Sequence, residues 1–70
     1  MNLQKVEEIK KFAKKQEFVF VKDVMPIIKS SRVMALNYLL EMELQGILER
    51  IEIRKSQKYS YKKWRIKKNV

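Results

Sequence analysis

The chain holds a single glycine, Gly46, and the hydrophobic pattern changes period across it. Upstream, apolar residues recur at steps of three and four, the spacing of one helix face; downstream they alternate, the spacing of one strand face. A lone glycine at such a boundary reads as a helix C-cap, because the left-handed backbone that ends many helices costs glycine least. One residue therefore divides a helical part from a hairpin part, and the fold class this predicts is α+β.

Within the helical part, Leu3, Val6, Ile9, Phe12 and Ala13 predict an amphipathic helix from Asn2 to about Lys15, with Asn2 as its N-cap. Phe18, Val19, Phe20 and Val21 form a β-branched and aromatic run too short for a helix and suited to an edge strand. Val24, Ile27 and Ile28 predict a short second helix over Asp23–Lys29, with Pro26 in or near its first turn. Ser30 and Ser31 supply the cap of a third helix running from Arg32 to about Gln45, whose inward face is Ala35, Tyr38, Leu39 and Met42.

Past Gly46, Ile47–Arg54 alternates Ile51 and Ile53 with Arg50, Glu52 and Arg54, which predicts a half-buried strand. Lys55, Ser56, Gln57 and Lys58 make a polar tip, and Tyr59–Ile66 returns as a second strand. Its apolar residues move from Tyr59 and Tyr61 to Trp64 and Ile66, a change of parity that predicts a bulge near Lys62 or Lys63. The whole reads as a single domain over residues 1–68 with a tail at 69–70.

Residue types then exclude function classes. With no cysteine and no histidine there is no thiolate nucleophile, imidazole base or usual zinc or haem ligand, and the carboxylates form no paired acid–base arrangement. No catalytic residue, metal or cofactor is expected. No run reaches the roughly 18 apolar residues of a membrane span, and Met1–Gln16 is too charged for a signal peptide, so a cytoplasmic, nucleoid-associated protein is expected. The 17 Lys and Arg against 8 Asp and Glu give a net charge of +9, and they are unevenly placed. Met1–Glu49 carries a net +1, while Arg50–Val70 carries +8. Such local positive charge calls for an anionic partner.

The order helix, short strand, helix, helix, hairpin resembles the winged helix-turn-helix family of DNA-binding domains, in the form of small archaeal or viral transcriptional regulators. Val21–Arg50 carries the resemblance: Val24 and Ile28 fall at inner positions of the second helix, Ser31 at the cap, and Ala35, Leu39 and Met42 on the inner face of the third. Gly46–Arg50 falls at the exit into the wing, and Trp64-Arg65-Ile66 on its returning strand. Two departures stand out: Lys29 and Ser30 occupy the turn where the family often has a glycine and an apolar residue, and Pro26 lies within the second helix. The lysine and isoleucine content suits a thermophilic archaeon or its virus.

The resemblance implies a three-helix winged helix-turn-helix, with a short strand after the first helix and a C-terminal β-hairpin wing. It also implies a sequence-specific double-stranded DNA-binding regulator of transcription. Residues 32–45 would enter the major groove, and the basic wing 50–66 would lie on the backbone or minor groove. The outward residues near the helix start, Arg32, Val33, Met34 and Asn37, are the expected base contacts, with the Asn37 amide suited to adenine. Ser30, Ser31, Arg54, Lys55, Lys58, Lys62 and Lys63 are the expected phosphate contacts, and Glu41 and Glu43 are expected to repel the backbone. Trp64 reads as core, with its indole N–H bonded to a carbonyl or water.

A second apolar stripe, Val33, Leu36, Leu40, Leu44 and Ile47, exceeds what one core face needs. Leu36 and Ile47 are expected to close against the wing or second helix, and Leu40 and Leu44 to form a homodimer interface on an inverted-repeat site. No membrane and no small-molecule ligand is indicated. The alternatives are a winged-helix protein interaction module in a transcription or replication complex, and RNA or single-strand binding through Tyr59 and Tyr61.

Overall fold

The computed structural model describes residues 2–56 and 59–68, without the side chains of residues 55–60. Three helices, α1 (Leu3–Gln16), α2 (Val21–Ile28) and α3 (Arg32–Leu44), precede an antiparallel hairpin of β1 (Leu48–Ser56) and β2 (Tyr59–Ile66). The helices and hairpin of the α+β expectation are all present, and every element contributes to one buried core.

Helix α1 begins where Asn2 caps it, its side-chain oxygen accepting from the Gln4 and Lys5 amides at 2.9 and 3.2 Å. It buries Val6, Ile9 and Ala13 and leaves its lysines and glutamates outside. Two polar contacts tie it to the other helices. The Lys5 ammonium donates to the Ile28 carbonyl at 3.0 Å, placing a cation on the negative end of α2. The Asn2 N–H donates to the Tyr38 hydroxyl at 3.3 Å.

The strand expected over Phe18–Val21 contracts to a single bridge, in which Val19 and Trp64 exchange both backbone hydrogen bonds at 2.8 and 2.9 Å. Val21 instead opens α2, two residues ahead of the expected start at Asp23. The cause is Asp23 itself: its carboxylate accepts from the Phe20 N–H at 2.9 Å and closes the first turn there. Pro26 consequently lies in the second turn, where it removes one helical donor while its ring stays exposed.

Between α2 and α3 the chain reverses at Lys29, which adopts left-handed dihedrals of 53° and 49°. The N–H groups of Lys29 and Ser30 both bond the Met25 carbonyl. Ser31 then caps α3, its hydroxyl accepting from the Met34 N–H at 3.3 Å. The buried residues of α3 are Ala35, Tyr38, Leu39 and Met42, as the periodicity predicts. At its end the Gly46 N–H bonds the Glu43 carbonyl and the Ile47 N–H bonds the Met42 carbonyl, at 3.0 and 2.9 Å, the pairing of a Schellman cap. Gly46 sits at φ +79°, and no atom lies within 4 Å of where a Cβ would stand. Backbone conformation, not space, selects glycine there.

In the hairpin, Leu48 faces Ile66, Arg50 faces Trp64, Glu52 faces Lys62 and Ile53 faces Tyr61, with one irregularity between Arg54 and Ser56. The bulge therefore sits in β1 beside the turn, and the expected one near Lys62 and Lys63 is absent from an unbroken register. The change of parity has another cause. Near the base, the face holding Leu48, Trp64 and Ile66 packs on the helices. Farther out that face turns polar with Glu52 and Lys62, and the opposite face carries Ile51, Ile53 and Tyr61. This second face meets the aromatics flanking Val19: the Phe20 and Tyr61 rings lie 6.5 Å apart, and the Lys63 ammonium sits 3.6 Å over Phe18.

Of the positive-φ positions Glu17, Lys29 and Gly46, the last two respond oppositely to substitution. Lys29→Gly raises the unfolding free energy by about 0.5–1 kcal/mol, because relief of left-handed strain exceeds the added chain entropy, whereas Gly46→Ala lowers it by about 1 kcal/mol. Urea unfolding midpoints of the two variants measure both signs.

Candidate nucleic-acid interface

The hairpin is held against α3 by one carboxylate. The Trp64 indole N–H donates to Glu43 Oε1 at 2.9 Å, and the Arg50 guanidinium lies 3.6 Å from the same oxygen. Trp64 is fully buried, so this bond satisfies a donor that has no access to water. Glu43, expected to repel a phosphate backbone, is half-buried against the hairpin, with Arg50 beside its carboxylate. A second pair, Arg65 with Glu49, links the two strands across the opposite hairpin face.

With β2 seated in this way, an open cleft of about 500 Å³ forms between the start of α2, the N-terminal half of α3 and the hairpin. Phe20, Lys22, Arg32, Leu36, Tyr61 and Lys62 are among its lining residues, together with Val21 and Trp64. Three cations from three separate elements thus line one concavity, and among the described residues no carboxylate lines it. Low-dielectric walls of aromatic and aliphatic side chains strengthen the field of those cations toward an anion. A second groove, between α1 and α3, is lined by Glu7 and Glu41 against the lone cation Lys10. It offers an anion nothing comparable.

The expected base contacts do not gather on one side. Arg32 lines the cationic cleft, whereas Met34 and Asn37 line the groove on the α1 side, beside Glu41. Asn37 also borders a shallow depression with Leu40 and Leu44, and Val33 projects outward at 69% exposure. Of the expected phosphate contacts, Ser31 is exposed but its hydroxyl caps α3, and the Ser30 N–H is taken by Met25. Arg54 and Lys62 share a hairpin face, while Lys63 lies on the other, over Phe18. Lys58 and the side chain of Lys55 lie outside the described residues.

Two cleft residues escaped the sequence reading. Lys22 and Phe20 join Arg32 only because α2 starts at Val21; the available signal was Asp23 three residues after Phe20, the spacing of a cap that reaches back to an N–H. Tyr61, a candidate for stacking on bases, lies against Phe20. Leu40 and Leu44 stay exposed, as does Leu36, which borders the cleft without closing it. Ile47 is half-buried and packs on the core, as expected for the end of the stripe. Among the described residues, no cluster of three or more carboxylates could hold a metal ion, and no helix is long and apolar enough to cross a membrane.

Removing the Glu43 carboxylate isolates a buried donor. Glu43→Ala lowers the unfolding free energy by about 1–3 kcal/mol, and Glu43→Gln, which keeps an acceptor, recovers much of it. Trp64 is the chain's one tryptophan, so its fluorescence during urea unfolding reports both effects directly.

Comparison with family models, with curated proteins and with solved structures found no match for this chain.

Proposed function

We propose that the chain is a double-stranded DNA-binding protein of the winged helix-turn-helix type, regulating transcription by occupying a preferred site. The observation that carries this reading is the cleft in which Lys22, Arg32 and Lys62 converge beside the basic hairpin. A duplex presents phosphates continuously along a groove wall, and a cleft flanked by a projecting basic ribbon suits that geometry better than it suits a small isolated anion. The hairpin acts as the wing: Arg54 and Lys62, on one face, follow the phosphate backbone. Arg32 stands at the start of α3 on the hairpin side and is the base-reading residue, because a guanidinium pairs bidentately with the guanine edge. Val33, Met34 and Asn37 face away from this cleft and take no base contact in this reading.

Enrichment from a random duplex pool, followed by mobility shifts with the selected duplex, an unrelated duplex, its single strands and RNA, tests the reading. The selected duplex binds best. Contacts from Lys22, Arg32, Arg54 and Lys62 give a log–log salt slope of roughly −3 to −4. Arg32→Ala weakens binding to the selected duplex by about 1–3 kcal/mol and to the unrelated duplex by less, whereas Lys62→Ala weakens both alike and lowers the slope by about 1. Equal, salt-insensitive binding to every nucleic acid would instead assign the basic hairpin to an acidic protein partner.

A further inference from the structure

The outward face of α3 is apolar along its whole length. Val33, Leu36, Leu40 and Leu44 follow one another at intervals of three, four and four residues, and are exposed by 69, 37, 39 and 83%. At about 100° per residue they form one stripe with Asn37 set into it, opposite the buried face of Ala35, Leu39 and Met42. The helix is also electrically polar. Its charged residues are Arg32 in the first turn and Glu41 and Glu43 near the end; the eleven-residue step from Arg32 to Glu43, close to three full turns, puts these two on the hairpin flank, and Glu41 lies on the α1 side. A stripe of this length, exposed to water and bordered on its hairpin flank by one cation and one anion at opposite ends, is self-complementary.

We propose that a second copy of this chain covers this stripe, with the two α3 helices packed antiparallel about a two-fold axis near Asn37. The charges choose the orientation. A two-fold axis perpendicular to the helices sets the hairpin flank of one copy beside the same flank of the other, running in the opposite direction. Arg32 of each copy then lies on the flank next to Glu43 of the other, an attraction across the seam that leaves the guanidinium facing its own cleft, whereas parallel packing would set like charges together. Val33 falls opposite Leu44 of the second copy. Asn37 and Leu40 fall beside the axis, where the two Asn37 amides, each donor and acceptor, satisfy one another. A single polar residue within an apolar seam fixes register, which gives Asn37 a role that no base contact is needed to explain.

One consequence reaches the nucleic-acid interface. Because the hairpin lies on a single flank of α3, the two-fold axis leaves both hairpins and both cationic clefts on the same side of the dimer. The pair is then a bivalent surface for a two-fold symmetric anion. The dimer itself does not rest on the DNA-binding reading.

The chain has no cysteine, so engineered thiols report the seam directly. Oxidising a mixture of Val33→Cys and Leu44→Cys chains should yield mainly the mixed disulfide, with little of either symmetric one. Light scattering of the unmodified protein at micromolar concentration should give twice the 8.5 kDa chain mass. Leu40→Lys should halve that mass while the circular dichroism spectrum and thermal transition stay in place. A mass of one chain, or symmetric disulfides forming as readily as the mixed one, overturns the proposal, and the disulfide result stands even if Leu40→Lys fails to fold. Mobility shifts run alongside keep the two readings apart: a dimer that ignores duplex DNA removes the DNA reading alone, and a monomer that binds it removes the dimer alone.

Discussion

Trp64 is the joint on which both halves of the molecule depend. Its backbone closes two hydrogen bonds with Val19, its indole bonds Glu43, and its ring is the largest wholly buried side chain. An isolated two-stranded hairpin is marginal in water, and a chain of 70 residues without a disulfide has few other means to anchor one. Burying the ring of Trp64 supplies apolar contact area. Burying its N–H also demands an acceptor, and Glu43 meets that demand only when β2 lies at one height along α3. Packing alone tolerates sliding; the indole bond does not. Arg50, opposite Trp64 in the ladder, completes the arrangement by balancing the carboxylate.

That joint also decides where the positive charge can act. The helical half is nearly neutral and the hairpin strongly basic, so the position of the hairpin is the position of the field. Fixing β2 beside α3 brings Lys62 to Arg32, and the Val19 bridge brings the start of α2, with Lys22, to the same cleft. Glu43, the carboxylate of α3 on that flank, is half-buried, bonded by the Trp64 indole and faced by Arg50. The bond that secures the hairpin also sets Arg50 beside the Glu43 carboxylate, which links the stability of the fold to the electrostatics of its surface.

Much of this was legible in the sequence. Periodicity located α1, α3 and the hairpin, because burial on one face leaves a repeating trace in a long enough segment, and it named the buried face of α3 without error. The Asn2 and Ser31 caps and the Gly46 stop were legible because each is a local chemical necessity. What stayed hidden was set by partners distant in sequence. Phe18–Val21 looks like a strand from its β-branched content, yet only Val19 finds a ladder partner, and Asp23 captures the rest for α2. The parity change in β2 reads as a bulge only for a flat strand with one buried face. A hairpin that packs on helices at its base and projects beyond them buries different faces at different heights. The same omission grouped Lys62 with Lys63, which alternation places on opposite faces.

The composition of α3 bears on how labour is divided. A helix that lies in a groove lined by phosphates benefits from cations and amides along its outer face, yet α3 offers one arginine, two glutamates and a row of branched aliphatic residues. Its hairpin flank and its outward face are chemically distinct surfaces. The flank, with Arg32 beside Lys62, suits an anion, and the outward face suits another apolar helix. A single element serves both when the hairpin is fixed to one side of it, because the angle between the surfaces keeps a partner on one from obstructing a ligand on the other. The left-handed turn at Lys29 and the cap at Ser31 set the direction in which α3 leaves α2, and with it the relation between those two surfaces.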